Sequence, residues 1–157
     1  MKLYRIFLLV LVTLCSSCQG FVHKEHIVDK YYLIAVDSKS DMSVSYQLDN
    51  GDFIGVVNGG VYAIGFGDNY IIAKQHPLDE TGRLNKEVTR YYIVPIDKNI
   101  SQYKVDSNKI GPLSEEMYLQ KRTELNVPNE LAFSNLIEDN TSIRKCEIYK
   151  CPQNPLF

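Results

Sequence analysis

Lys74-Gln75-His76-Pro77 places an ammonium, an amide and an imidazole in a row at the end of an apolar run. Groups that bind or catalyse are often carried where a strand runs out into a loop, although a strand that simply reaches water looks the same. Lys74, Gln75 and His76 are therefore the candidate ligand contacts. His76 is the single imidazole in the stretch 30–157, which makes it the natural general base or ligand-contacting group. His23-Lys24-Glu25-His26 sets two imidazoles three apart around a carboxylate. It is not the H-E-x-x-H of a zinc site and is expected to be a solvated linker. Gly65-Phe66-Gly67-Asp68-Asn69 lacks the helix and Lys-Ser/Thr that a phosphate-cradling loop needs, so a hairpin turn explains it. Asp37 and Asp97 each end a Tyr-Tyr strand and could pair if those strands are neighbours; aspartate at a strand end more often begins a turn. Gly-x-Ser-x-Gly and a Cys-His nucleophile pattern are absent. No catalytic residue, metal site or cofactor is assigned.

Cysteine carries the other reactive atoms. Met1-Lys2-Leu3-Tyr4-Arg5 precedes an apolar run, Ile6–Leu14, which Cys15-Ser16-Ser17-Cys18 closes. Two cations, a short apolar stretch and small residues are the three parts of a secretory signal. The run is well short of the roughly 20 residues that span a bilayer. A cysteine directly after the small residues resembles the lipobox of bacterial lipoproteins. The resemblance implies diacylglycerol on the sulfur of Cys18, which would become the mature N-terminus. Ser17 and Ser16 occupy the two positions before it; Cys15 stands where the lipobox usually has Leu, with Leu14 one place further back. Residues 1–17 then form the signal peptide, 18–29 a lipidated tether and 30–157 one globular domain. Cys146 and Cys151 remain, in Cys-Glu-Ile-Tyr-Lys-Cys. In an oxidising compartment the pair is expected as a disulfide stapling the C-terminal tail, with two free thiols or metal and redox chemistry as the alternatives.

The 140 residues after the signal are enough for one core. Without Lys2 and Arg5, 15 basic residues face 19 acidic ones, and no Lys/Arg cluster is present. That balance gives no footprint for nucleic acid. Eleven tyrosines and no tryptophan suit a strand-rich chain.

The elements that must position these groups read as strands first. Lys30–Asp37 is an apolar run of strand length, and Ser38–Asp41 is a turn. Met42–Leu48, Phe53–Val57, Val61–Phe66 and Tyr70–Gln75 follow, separated by Asp49-Asn50-Gly51, Asn58-Gly59-Gly60 and Gly67-Asp68-Asn69. Residues of that kind accept positive φ and predict hairpins, hence a β-meander. Tyr62, Ile64 and Phe66 share one face, the bulky one that should pack. Leu78–Lys86 is a polar excursion, and Val88–Asp97 returns as a strand that ends at Pro95 or lies at an edge. YYLIAVD at 31–37 and YYIVPID at 91–97 look alike; shared β composition accounts for that better than a duplication. Ser114 can cap a helix opened by Pro112-Leu113-Ser114-Glu115-Glu116, with Met117, Leu119 and Leu125 as its apolar stripe and Tyr118 beside them. Pro128 stops it. Asn129–Ile137 is expected as a second short helix and Arg144–Tyr149 as a last strand. The class is α+β, an antiparallel β-meander sheet packed against one or two C-terminal helices.

Tyr32–Asp37, Val61–Phe66, Tyr70–Pro77 and Tyr91-Tyr92-Ile93 carry a further likeness. The stretch 31–97 is similar to a family of small bacterial lipoproteins known as a domain of unknown function. The resemblance implies an exported one-domain protein, brings no activity, cofactor or catalytic residue, and favours Lys74, Gln75 and His76 as a shared feature. Three functions are expected to compete. The leading one is a lipid-anchored envelope module that binds a protein, peptide or glycan. The second is an inhibitor of an envelope-degrading hydrolase, inserting a loop near 76–88. The third is a small hydrolase that uses His76 with an acidic partner.

Overall fold

The computed structural model describes residues 20–136. In chain order the strands are β1 (His23–Val28), β2 (Tyr31–Ala35), β3 (Ser43–Gln47), β4 (Phe53–Val57), β5 (Val61–Phe66), β6 (Tyr70–Gln75), β7 (Arg90–Pro95) and β8 (Ile110–Leu113). The α-helix α1 (Glu115–Glu124), single 3-10 turns at Lys39–Asp41, Gln102–Lys104 and Asp106–Asn108, and a two-residue strand, β9 (Ser134–Asn135), complete the elements of the described residues. All pairings are antiparallel, in a first sheet ordered β1-β2-β3-β4 and a second ordered β8-β7-β6-β5-β9. The α+β reading holds, with one α-helix among the described residues.

The period of two along each strand builds the layers. Tyr31, Leu33 and Ala35 of β2 and Val44 and Tyr46 of β3 share a buried cluster with Ile64 of β5, Ile71 and Ala73 of β6, and Tyr92 and Val94 of β7. Those side chains come from the two facing surfaces of the sheets. The alternate residues of the second sheet, Ile72, Tyr91, Ile93 and Leu113, point the other way and pack under Tyr118 of α1 and Val127. Each fully buried isoleucine in these layers contributes about 1.5–3 kcal/mol. The second sheet is thus buried on both faces, which explains why β6 and β7 read as continuous apolar runs.

The expected single meander is divided at Asn58-Gly59-Gly60. The hairpins at Asp49-Asn50-Gly51 and Gly67-Asp68-Asn69 form as expected, closed by the Leu48 amide on the Asp52 carbonyl (2.8 Å) and the Gly67 amide on the Tyr70 carbonyl (3.0 Å). At Gly60 the chain instead crosses from the first sheet to the second. The Val61 amide donates to the Met42 carbonyl and the His76 amide to the Gly60 carbonyl, both at 2.9 Å. Gly60 has φ +93°, and a Cβ there would lie 2.3 Å from the His76 carbonyl oxygen. Backbone of the neighbouring strand fills the space in which a hairpin would have closed.

Three other expectations change. Residues 23–28, read as tether, form β1, because Ile27 turns inward and the strand pairs with β2. The expected tether is therefore strand from His23 onward. Residues 129–136 of the expected second helix are irregular or strand. The Arg122 guanidinium donates to the carbonyls of Pro128 (2.5 Å), Asn129 (3.2 Å) and Leu131 (2.7 Å), groups that a helix would have used internally. The segment then crosses Gly65, where a Cβ would lie 2.2 Å from the Ala132 carbonyl oxygen, and β9 pairs with Ala63 and Ile64. Ser114 does cap α1, its hydroxyl accepting from the Met117 amide at 3.2 Å. The buried residue of the helix is Tyr118, however, while Met117 and Leu119 are 51% and 55% exposed. The signal, Cys18, Cys146, Cys151 and the strand expected at 144–149 lie outside the described residues.

Candidate functional site

Lys74 and His76 emerge on the same side of the second sheet, the side turned away from the first. Alternation sends Gln75 to the opposite face, so the three candidate contacts do not converge. The Gln75 amide nitrogen donates to the carbonyls of Asn58 and Gly59, both at 3.0 Å, and its oxygen accepts from the Tyr92 hydroxyl at 3.0 Å. It is buried and fully used in pinning the crossing between the sheets. Lys74 lies over two rings, 4.6 Å from the Phe133 centroid and 5.3 Å from that of Tyr91. Such contacts hold an ammonium in place without neutralising it. Burial, followed by the nearby Glu115 carboxylate, pushes the Tyr91 phenol up.

His76 stacks on Tyr62 with ring centroids 4.0 Å apart and planes 10° from parallel. Tyr62 is the extra residue of a β-bulge between Val61 and Ala63, a device that re-aims a side chain out of the regular pleat. Its hydroxyl pairs with that of Thr89 at 3.1 Å. The His76 Nδ1 is 2.9 Å from the Val88 carbonyl oxygen, so it carries the proton in that contact. The partner of the ring is therefore a backbone carbonyl rather than the acidic side chain that the hydrolase reading expected.

These contacts clamp the base of the loop 77–88. Beyond the clamp, the Asn85 amide donates to the Pro77 carbonyl (2.8 Å), and Leu78 and Leu84 form an isolated antiparallel bridge. Asp79 organises the tip. One carboxylate oxygen accepts from the Thr81 amide (2.8 Å), the Thr81 hydroxyl (2.7 Å) and the Arg83 amide (3.0 Å). The Thr81 hydroxyl, with the Arg83 and Thr81 amides, holds the Asp79 carboxyl below its ordinary pKa. Leu78 and Val88 remain 59% and 42% exposed on this ordered loop. A carboxyl with a depressed folded pKa stabilises above its unfolded pKa, and the contribution is lost as pH falls through the folded value. The Thr81 and Arg83 amides should therefore stay protected from exchange at neutral pH and lose protection only once the pH falls below the ordinary aspartate pKa of about 3.9. Asp79→Ala should remove that protection at every pH, as amide exchange followed by NMR would show.

The remaining sequence candidates separate. His23 and His26 lie on opposite faces of β1; His23 Nε2 is 3.2 Å from Glu25, whereas His26 Nε2 is 2.7 Å from the Asp29 carbonyl. Asp37 and Asp97 follow strands of different sheets and do not form the neighbouring pair considered above; the Asp97 carboxylate accepts from the Asn99 amide at 2.9 Å and starts a turn. No group of three or more His, Cys, Asp or Glu residues with metal-site geometry occurs among the described residues. An open groove of about 630 Å³ lies at the C-terminal end of α1, lined by Leu119, Arg122, Thr123 and residues 126–129. Its one cation, Arg122, is committed to Tyr118 and the carbonyls named above. Sequence reading missed Arg122 and Tyr62. A bulge leaves no mark in residue type, and an arginine on a polar helix looks like any solvated cation.

Fold and surface together define, over the described residues, a two-sheet antiparallel β domain with one α-helix, presenting a braced loop and a cation-aromatic patch on its second sheet. The chain belongs to DUF3997, a family of proteins of unknown function, whose profile matches residues 28–137. The match extends beyond the 31–97 stretch to take in β8, α1 and β9. Neither a curated protein nor a solved structure matches the chain.

Proposed function

We propose that this protein is an exported binding module of the bacterial cell envelope, lipid-anchored through Cys18, that recognises a protein, peptide or glycan with the loop 77–88 and the patch around Lys74 and Tyr62. The exposed Leu78 on a loop already braced by Asp79 and His76 carries the reading. A surface ordered before contact loses less conformational entropy on binding than a floppy one. The signal and the Ser16-Ser17-Cys18 sequence support the address.

Two measurements test it. Mass spectrometry of the processed protein should find thioether-linked diacylglycerol on an N-terminal Cys18. Affinity capture from envelope extract should return a partner that Leu78→Asp abolishes, and that His76→Ala weakens roughly ten-fold by loosening the loop. Capture unaffected by Leu78→Asp would refute the assigned surface. The rigidity of the loop also favours the inhibitor reading, because a braced protrusion suits an enzyme cleft. Unchanged activity across a panel of lysozymes and envelope proteases would eliminate that version.

A further inference from the structure

The outer face of the first sheet is aromatic, partly exposed, and unconnected with the loop surface. Tyr32 and Phe53 meet edge to face at 5.3 Å, Phe21 meets Phe53 at 5.6 Å, and His26 meets Tyr32 at 5.1 Å. Ser45 separates Tyr32 from Gly55 across the sheet, and these small residues leave room for the rings to lie over β3. The Lys24 ammonium sits 4.7 Å above the Phe53 ring and 5.4 Å above that of Tyr32, without a carboxylate partner among the described residues. Phe21 and Val22 are 43% and 54% exposed. Aromatic rings accompanied by a long cationic side chain settle at a membrane–water interface, the apolar body inward and the charge toward water.

We infer that this face lies against the lipid headgroup layer, so that the first sheet is the membrane side of the molecule and the second sheet is the outward side. The inference rests on the proposed anchor at Cys18. Two residues, Gln19 and Gly20, separate Cys18 from Phe21, and the three steps of fully extended chain between them reach about 10 Å. The headgroup zone is itself about 5–8 Å thick on each side of the bilayer. Phe21 packs on Phe53, so an anchored chain cannot hold the Phe21-Phe53-Tyr32 cluster far from the headgroups. Lys74, His76 and Tyr62 project from the opposite side of the paired sheets, which turns the loop 77–88 toward the surroundings.

The absence of tryptophan makes a clean test available. Full-length lipidated Phe21→Trp, Phe53→Trp and Leu78→Trp would each be reconstituted into phosphatidylethanolamine–phosphatidylglycerol vesicles carrying a spin label near the headgroup. Phe21→Trp and Phe53→Trp should be quenched about three-fold more strongly than Leu78→Trp, and Lys24→Glu should reduce the difference. Flotation separates the two layers of the argument. Protein that floats with vesicles but is quenched equally at the three positions overturns the orientation and leaves the anchor standing. Protein that does not float overturns the anchor and the orientation with it. Phe21 is exposed and outside the strands, so its probe reports even if the Phe53 substitution perturbs packing.

Discussion

Gly60→Ala should destabilise the protein by about 4 kcal/mol, the sum of backbone strain and a clash with main chain. Holding an L-residue at φ +93° costs about 1–2 kcal/mol. The larger part comes from the added methyl group, 2.3 Å from the His76 carbonyl and 2.8 Å from the Leu84 side chain. Leu84 can rotate away, but the His76 carbonyl belongs to backbone fixed by β6 and by the Gly60–His76 hydrogen bond. Relief would have to separate the crossing segment from β6 and strain the bonds from Gln75 to Asn58 and Gly59. Gly82→Ala is the control. Its φ is +79°, but a Cβ there meets nothing within 4 Å, so strain alone of about 1 kcal/mol is expected. Urea unfolding of the two variants measures the difference, and equal losses would mean that the crossing is not the constraint described.

Alkaline pH should destabilise the protein through Tyr31. This residue is completely buried between the sheets, and its hydroxyl has no hydrogen-bond partner among the described residues. Burial, with Tyr46, Asp29 and Asp97 nearby, pushes its phenol from 10.0 up to about 12. The folded state favours the neutral form, so this contribution is complete below the unfolded pKa and is lost as pH rises from 10 toward 12. A shift of that size corresponds to about 3 kcal/mol. Tyr31→Phe should abolish that part of the alkaline loss. At pH 7 it should also raise stability by about 1 kcal/mol, because it removes a polar group whose burial is uncompensated. Denaturant melts at pH 7 and pH 11 decide the matter; a variant less stable than wild type at pH 7 would show that the hydroxyl is satisfied.

The strand-rich class, the hairpins at Asp49-Asn50-Gly51 and Gly67-Asp68-Asn69, and the cap at Ser114 were legible because their causes are local. Turn residues declare positive φ, and a serine before two glutamates declares a helix start. Asn58-Gly59-Gly60 carries the same local signal, yet the backbone that fills the turn comes from His76, sixteen residues on. Nothing in those three residues identifies that neighbour. β1 was hidden because His23, Lys24, Glu25 and His26 are polar on both faces, and only Ile27 marks the inward side. The helix stripe was misassigned for a related reason. Tyr118 outranks Met117 and Leu119 only because Tyr91 stands opposite it, at a centroid distance of 5.1 Å. The candidate site was half legible. Lys74 and His76 do reach the surface together, while Gln75 was counted with them because adjacency in sequence hides the alternation of a strand.

The shortest strand of the fold covers what would otherwise be an open sheet edge. β5 would be the open edge of the second sheet if residues 134–136 did not run along it, with β9 paired to Ala63 and Ile64 and the Leu136 amide bonded to the Tyr62 carbonyl at 2.8 Å. An uncovered edge rich in apolar residues is a template for another chain. Under the proposed anchoring, molecules share one orientation and diffuse in two dimensions, so edges at equal height meet far more often than they would in free solution. The strap held by Arg122 and seated on Gly65 would then close this one apolar edge to a neighbour's strand in a crowded lawn of identical sheets.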